Sequence, residues 1–474
     1  MEENTKKTFK QKFLDMYNSD KIHLWEWIFF GVVAVLFTLF FVYKDTVSIG
    51  AWSLTFWDCL FDGEIWGIYK YLYLNQNGSM HQFCAGNIFY LVLQGILGLP
   101  CYIVAKIAGM TSYDNFFVIA YFKLLFLAIF ALCAYFSYKL LRKMNLSEND
   151  SKWVIYLSVT SLFVMGLLGY FGQNDIVGIT FFVLGVYFYL SDKKLNLLFF
   201  ALAVALKPFF LAMYLALLLL KEKNILKIAL SCLIVVSGLV FCSLLYYKAP
   251  YYRTSLGDKV SQEYLPALLS SSLNLSYGAM ALCVVAFGGL YLFCYIYKYD
   301  EENYFKYVNY FLSMSAVMLC LFVEIAPYRP VMLFPFFFAM IMQNKDKFRL
   351  NVILELVASV GFWAYLFAGS WVGHFDLRVM DKMLLGQVAG TLDAGKRTFY
   401  YAYDFCEKLG LTKLVPIFLG MLFAGLLFIF ILNRPRKENM LLSPECGKVD
   451  RWIVWLRGLL VLPILAIMCF CYFY

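Results

Sequence analysis

The stretch NFFVIAYFKLLFLAIFALCAYFSYKLLRK, residues 115–143, decides the fold class of this chain. Its apolar part, 115–141, is longer than the ~20 residues that a helix needs to cross a bilayer. Two cations, Arg142 and Lys143, follow it directly, as at the cytoplasmic ends of spanning helices. The stretch therefore predicts a transmembrane helix whose C-terminal end faces the cytoplasm.

The composition of the whole chain supports a membrane protein. Of its 474 residues, 62% are hydrophobic and 15% are charged, and the mean hydropathy is +0.71. Soluble domains are typically about 45–50% apolar. The net charge of +9 does not indicate nucleic-acid binding, because Lys and Arg occur in short clusters between apolar runs. The composition excludes a soluble fold.

Apolar runs of spanning length recur along the chain and predict an all-α fold. We expect a polytopic transmembrane bundle of about 12–13 helices, with interfacial helices in the first outer loop. The first run follows a lysine-rich segment, 1–26, and is interpreted as a signal anchor. The candidate spans are 27–44, 115–141, 153–170, 176–191, 226–246, 278–297, 307–324, 330–343, 351–370, 414–432 and 452–473.

The clusters of Lys and Arg assign each loop to one side of the membrane. The predicted cytoplasmic loops are 142–152, 191–194, 221–227, 298–306, 343–350 and 433–451. The predicted outer segments are 45–114, 171–175, 247–277, 325–329 and 371–413. This alternation predicts a multi-pass protein of the cell membrane with both long loops outside.

Two apolar stretches need separate treatment. The stretch 86–108 is interrupted by Gly95, Gly98 and Pro100, and a crossing there would place Lys139 and Arg142 outside. We therefore expect it to form helices that lie in the outer interface. The stretch 195–220 has lysines at both ends and Lys207-Pro208 in its middle. Because proline breaks the helical hydrogen-bond ladder, we expect a re-entrant helix pair with Lys207 at its tip.

Polar groups that could carry chemistry gather in the predicted outer segments. Intramembrane and interfacial ionisable groups are expensive and commonly functional. Asp58, Asp62 and Glu64 lie among tryptophans and phenylalanines, where a carboxylate suits a general base acting on a hydroxyl group. Asp58 and Asp62 would share one helical face. Helix capping and solvated loop charge are the alternative interpretation.

Four further positions complete the candidate set. Gln173, Asn174 and Asp175 offer donors and acceptors at one turn, although Asp175 could simply cap the following helix. Lys207 is a cation at membrane depth and suits a lipid phosphate, although a lone lysine can also snorkel. In Pro327-Tyr328-Arg329-Pro330, Arg329 has a planar fork suited to phosphate, or pairs with Glu324. Asn274 and Ser276 bind a substrate or cap a helix.

The order of these features resembles the GT-C superfamily of integral membrane glycosyltransferases, in particular the bacterial branch related to polyprenyl-phosphate-dependent mannosyltransferases. The resemblance covers roughly residues 25–340. A signal anchor precedes an acidic outer loop, and Gly172-Gln173-Asn174-Asp175 is similar to a Gly-Gln-x-Asp element of that branch. Ala203-Val204-Ala205-Leu206-Lys207-Pro208 is like its small-residue stretch that ends in Lys-Pro. Asn274-Leu275-Ser276 and Pro327-Tyr328-Arg329-Pro330 follow in order, although Arg329 stands where relatives often have histidine.

The resemblance implies a catalytic module at 27–343, followed by C-terminal helices at 344–474. It implies transfer of a hexose from a polyprenyl-phosphate donor to an extracellular glycopolymer, glycolipid or protein, with inversion and without a cofactor. Asp58 or Asp62 would be the base, Lys207 and Arg329 would bind the donor phosphate, and these groups would meet in one outer pocket. The expected substrate-binding residues are Glu64, Gln173, Asn174, Asp175, Asn274 and Tyr328.

Other functions remain open at this point. A flippase or transporter of lipid-linked sugars commonly has paired broken helices in two halves, whereas only 195–220 is broken here. A polysaccharide polymerase or ligase would use outer arginines such as Arg253, Arg378 and Arg397. A non-catalytic membrane scaffold would leave the outer gathering of Asp, Gln, Lys and Arg unexplained. Three histidines and the absence of a Cys/His zinc spacing give no reason to expect a metal.

Overall fold

The computed structural model shows an all-α helical bundle, as the sequence predicts. It is 81% helical and has almost no sheet. It describes residues 11, 21–75, 84, 86–166, 168, 173–257, 266, 269, 271–276, 278–299, 301–323, 329–369, 378–379, 402–435 and 451–473.

Nineteen α-helices lie in these described residues. In the first half of the chain they are α1 (Leu24–Phe40), α2 (Lys44–Phe61), α3 (Ile68–Asn75), α4 (Ile88–Ile107), α5 (Phe116–Lys143), α6 (Glu148–Val159), α7 (Leu162–Gly166), α8 (Asp175–Tyr189), α9 (Leu195–Leu206), α10 (Phe210–Lys221) and α11 (Ile225–Leu245). In the second half they are α12 (Leu282–Ile296), α13 (Tyr304–Phe322), α14 (Phe336–Met342), α15 (Phe348–Ala368), α16 (Ala402–Lys408), α17 (Val415–Leu432), α18 (Arg451–Leu459) and α19 (Val461–Phe473).

Within the part of the chain that the structure describes, two antiparallel strand pairs accompany the helices. The strand β1 (Phe41–Val42) pairs with β4 (Arg378–Val379), and β2 (Ser272–Leu275) forms a hairpin with β3 (Gly278–Ala281). The first pair places part of the predicted outer segment 371–413 beside the end of α1. The rest of that segment up to 401 lies outside the described residues.

In the described residues, six helical stretches are long and apolar enough to cross a membrane. They are Ile88–Ile107, Phe116–Lys143, Ile225–Leu245, Glu301–Phe322, Lys345–Ala368 and Leu411–Leu432. Five shorter apolar helices stand beside them, at Leu24–Leu39, Asp175–Tyr189, Leu195–Leu206, Phe210–Lys221 and Leu282–Ile296. Length and composition thus indicate a membrane protein, with eleven apolar helices in the described part against the expected 12–13 spans.

The break predicted at Lys207-Pro208 is confirmed and organises one side of the bundle. The helices α9 and α10 run in opposite directions on either side of it. The contact that shows this joins the end of α10 to the loop before α9, where the amine of Lys221 lies 2.8 Å from Asp192. Lys143 donates a hydrogen bond to Ser191 in the same loop, at 2.5 Å. We call this end of the bundle the basic end.

The opposite end carries the N-terminus of α8 and the tip of the α9–α10 pair. The amine of Lys207 lies 3.4 Å from a carboxylate oxygen of Asp175, the first residue of α8. The 15 residues of α8 separate the two ends by about 22 Å at 1.5 Å per residue. We call the end with Asp175 and Lys207 the site end.

The expectation that Gly95, Gly98 and Pro100 interrupt the stretch 86–108 is wrong, whereas its expected place in the outer interface stays a prediction. One continuous helix, α4, runs through Gly95, Gly98 and Pro100, and it is long and apolar enough to span a bilayer. Its glycines serve packing: a Cβ on Gly95 would lie 2.4 Å from the ring of Phe56 in α2. Close helix contact, and not a break in the helix, explains these small residues.

Two other predicted spans are divided. The stretch 153–170 forms α6 and the short α7, with the break at Thr160 and Ser161. There the side chain of Thr160 accepts a hydrogen bond from Arg457 at 2.7 Å, and Ser161 donates one to Glu355. The stretch 330–343 begins as a 3-10 helix, Arg329–Leu333, before α14. Neither stretch is a single uninterrupted helix, and at the first break tertiary partners satisfy the polar side chains of Thr160 and Ser161.

Buried ion pairs attach α18, which precedes the last described helix, to the rest of the bundle. Arg457 lies 2.8 Å from Glu355 of α15, and both side chains are fully buried. Arg451 lies 3.1 Å from Glu26 of α1, and the indole of Trp455 donates to the same carboxylate at 2.8 Å. Charged groups thus join the two ends of the chain inside the bundle.

Candidate functional site

The ion pair between Lys207 and Asp175 forms the centre of the candidate site. The backbone of Lys207 is extended, as expected before a proline, so its side chain leaves the end of α9 at the tip. Asp175 is 1% exposed, whereas Lys207 is 23% exposed. Among the carboxylates of the described residues, Asp175 alone has both oxygens buried without a hydrogen bond. A buried carboxylate in this state is unusual and deserves a functional explanation.

A second carboxylate, Asp45, joins this cluster through Gln173. The side-chain amide of Gln173 donates to Asp45 at 2.6 Å, and Gln173 precedes Asp175 by two residues. Asp45 lies in the first turn of α2 and is partly exposed, as access to a substrate requires. Asp45 is not among the site residues predicted from the sequence. Its place directly after the first apolar run was the available signal.

Arg329 lies on the same side of the bundle as Lys207. Its guanidinium carbon is 6.0 Å from the centre of the Phe209 ring, two residues after Lys207. The 3-10 helix that begins with Arg329 packs against α8, whose first residue is Asp175. Two cations of the predicted phosphate site are therefore neighbours in the fold.

Asp58 occupies a different environment. One of its oxygens accepts from Tyr102 at 2.9 Å and lies 2.7 Å from the amine of Lys106, and the other accepts from Tyr113 at 2.7 Å. Burial, followed by the hydrogen bond to Asp58, raises the pKa of Tyr113. These contacts join α2, α4 and the turn before α5. Asp58 is therefore held by three donors, which use most of its acceptor capacity.

Asp62 and Glu64 lie near Asp58 and are exposed. Asp62 accepts a hydrogen bond from Tyr71 at 2.6 Å, and burial followed by this bond raises the pKa of Tyr71. The three carboxylates surround Cys59: burial first, then Glu64, Asp62 and Asp58 raise the pKa of its thiol to about 12. Asp58, Asp62 and Glu64 therefore form an acidic group, but this group is separate from the cluster around Asp175 and Lys207.

The expected meeting of Asp58 or Asp62 with Lys207 is not what the fold brings about. Asp45 and Asp58 are 13 residues apart on the uninterrupted helix α2, which corresponds to about 20 Å along its axis. Asp45 lies beside Gln173, whereas Asp58 binds Lys106. The continuous α2 therefore keeps the two acidic groups apart, and a catalytic role of Asp58 or Asp62 stays a prediction.

The remaining predicted residues have different positions. Asn174 is buried and precedes α8, but its side chain makes no capping hydrogen bond. Asn274 lies in the exposed hairpin strand β2, opposite Ala279, and not at the start of a helix. Tyr328, expected to bind substrate, lies outside the described residues. Only Asn174 of these three is thereby placed at the cluster.

The cluster has the chemical groups for a reaction on a phosphorylated substrate. Lys207 and Arg329 supply positive charge for a phosphate, and Asp45 and Asp175 supply carboxylates that can accept a proton. Among the described residues, no group of three or more His, Cys, Asp or Glu side chains could hold a metal ion. The site is built from four parts of the chain: the start of α2, the start of α8, the α9–α10 tip and the Arg329 segment.

The fold and the cluster together define the class of this chain as a helical integral membrane protein with a polar site at one end. Comparison with known proteins adds no relative, because no protein family, no curated protein and no solved structure matches the chain.

Proposed function

We propose that the protein is a GT-C-type glycosyltransferase that moves a hexose from a polyprenyl-phosphate donor to an acceptor outside the cell. The observation that carries this proposal is the buried, hydrogen-bond-free carboxylate of Asp175 beside Lys207, with Asp45 and Arg329 close by. The basic end supports an orientation in which the site end faces away from the cytoplasm. A compartment without nucleotide sugars requires a donor that arrives in the membrane.

The reaction follows from the charges of the cluster. A carboxylate, Asp45 by its partial exposure, takes the proton of the acceptor hydroxyl. The hydroxyl oxygen attacks the anomeric carbon, and the bond from that carbon to the phosphate oxygen breaks with inversion. The phosphate leaves with the bonding electrons, and Lys207 and Arg329 stabilise its charge. Asp175 holds Lys207 in place until the phosphate arrives.

The test is transfer by the purified protein in lipid nanodiscs. The probes are radiolabelled decaprenyl-phosphate mannose, glucose and galactose, with a membrane glycolipid extract as acceptor. Asp45→Asn and Lys207→Gln should each lower transfer at least about 100-fold, the lower range for a lost general base or charge-stabilising group. Asp114→Asn, a carboxylate in the turn between α4 and α5 that accepts from Ser112, is the matched control.

Three outcomes discriminate between the assignments. Loss of transfer in Asp58→Asn and Asp62→Asn, with Asp45→Asn unaffected, would move the base to the other acidic group. Binding of the donor without transfer, but with its movement across the membrane, would identify a flippase. Activity only with diphosphate-linked oligosaccharides would identify a polymerase or ligase.

A further inference from the structure

We infer that Asn87, at the start of α4, is a positioning residue for Lys207, an inference that rests on the proposed function. Its side-chain amide donates a hydrogen bond of 2.6 Å to the carbonyl oxygen of Ala205, two residues before Lys207. Asn87 is 118 positions away in the chain and is 5% exposed. Nothing in the sequence around Asn87 indicates this contact.

The hydrogen bond replaces one that the helix loses at its broken end. In a continuous helix the carbonyl of Ala205 would accept from the amide of Phe209, but Pro208 ends the ladder. The amide of Lys207 still bonds to Ala203, at 3.0 Å. Asn87 supplies the missing donor for the carbonyl of Ala205, two residues further along the chain than Ala203. The end of α9 is thereby held to α4 directly beside the residue that carries the cation.

The same side chain has a second role that fixes its orientation. Its oxygen accepts from the backbone amide of Tyr90 at 3.0 Å and caps the start of α4. Exchanging the oxygen and nitrogen of the amide would bring two acceptors together at Ala205, so the donor must face the carbonyl. Capping alone requires only the oxygen. The nitrogen is therefore the part of Asn87 that acts on the site.

Two substitutions separate the two roles. Asn87→Asp keeps the size and the capping oxygen but places a second acceptor against the carbonyl of Ala205. Asn87→Ser is uncharged and also caps helices well, but it is too short to reach Ala205. A matched control is Asn115→Asp at the start of α5, where Asn115 accepts from Val118 at 3.1 Å and donates to Ser112 at 2.8 Å.

The experiment measures the affinity of the protein in nanodiscs for decaprenyl phosphate without a sugar, together with the unfolding midpoint. Both Asn87 variants should bind about tenfold more weakly than the wild type, the effect of about one lost hydrogen bond. Their unfolding midpoints should match that of Asn115→Asp, which should bind like the wild type. Lys207→Gln reports the full loss of the cation.

Three results would overturn the inference. Wild-type affinity in either Asn87→Ser or Asn87→Asp would show that the contact to Ala205 does not position Lys207. An equal loss of affinity in Asn115→Asp would reduce the effect to helix capping. If the wild type itself does not bind decaprenyl phosphate, the proposed function fails, and the role of Asn87 fails with it.

Discussion

Two aspartates of this chain show how differently a carboxylate can be used. Asp58 is surrounded by donors from Tyr102, Tyr113 and Lys106, whereas Asp175 is buried with one cation and no hydrogen bond. Hydrogen bonds to the charged form make a carboxylate a stable structural group. An underused carboxylate beside a cation can exchange its partner for a substrate. The site lies where the local bonding is incomplete.

The tyrosine that binds Asp58 leads to a prediction about alkaline pH. The pKa of Tyr113 is raised in the folded protein, so the folded state keeps the phenol neutral where the unfolded chain loses the proton. This difference in the pKa of Tyr113 stabilises the folded state. The stabilisation is fully present below the unfolded pKa of ~10 and is lost as pH rises above it. We expect Tyr113→Phe to lose less stability than the wild type between pH 8 and pH 11. Unfolding midpoints at both pH values check this, and equal losses would contradict it.

At the scale of elements, small residues determine how closely the helices approach. The helices α15 and α17 touch through two glycines: a Cβ on Gly361 would lie 2.7 Å from the backbone oxygen of Phe418, and one on Gly425 would lie 2.7 Å from that of Leu354. Small residues allow such backbone contact between helices in membranes. The contact between α15 and α17 therefore depends on glycines, to which the hydropathy of a sequence gives little weight.

Gly361→Ala and Gly425→Ala should each destabilise the protein by about 1–3 kcal/mol, because the added methyl group meets backbone atoms that cannot move aside. The control is Gly420→Ala on the same helix as Gly425, where a Cβ would meet nothing within 4 Å. That variant should be neutral or slightly more stable, since glycine weakens a helix interior. Thermal unfolding in one detergent measures all three, and a harmless Gly361→Ala would disprove the close contact.

At the scale of the molecule, charges organise the bundle in two ways. Cations collect at the basic end, where Lys143, Lys221 and Lys345 bind partners in neighbouring loops and helices. Inside the bundle, Arg451 and Arg457 of α18 bind carboxylates of α1 and α15. The first pattern concerns orientation in the membrane. The second concerns the internal packing of the bundle, because it joins α18 to α1 and to α15.

Removing one partner of a buried ion pair leaves the other charge without compensation. We expect Arg457→Met to cost about 3–5 kcal/mol, a typical range for breaking a buried pair. The double variant Arg457→Met, Glu355→Met should lose less than the sum of the two single variants, because no lone charge remains. Unfolding of all three variants in the same detergent gives the coupling. Additive losses would mean that the two side chains do not interact.

The orientation of the bundle can be tested with single cysteines. Lys193 is exposed in the loop at the basic end. Tyr251 is exposed too, and the ring of the next residue, Tyr252, lies 5.0 Å from that of Tyr69. The hydroxyl of Tyr69 donates to the carbonyl of Gly86, the neighbour of Asn87, so Tyr251 lies towards the site end. In intact cells a membrane-impermeant maleimide should label Tyr251→Cys and leave Lys193→Cys unlabelled until the cells are opened. The unaltered chain gives the background, and labelling of Lys193→Cys in intact cells would reverse the topology.

The sequence by itself determined the class of fold, the break at Lys207-Pro208 and the clustering of cations at one end. Each of these depends on local composition and spacing, which hydropathy and proline geometry read directly. Only the tertiary structure decided that the glycines of α4 pack against α2, that Asp45 joins Gln173, and that Asp58 binds Tyr102, Tyr113 and Lys106. Those results depend on contacts between residues far apart in the chain. A sequence pattern shows which chemical groups are present, but it does not show which of them come close together in the fold.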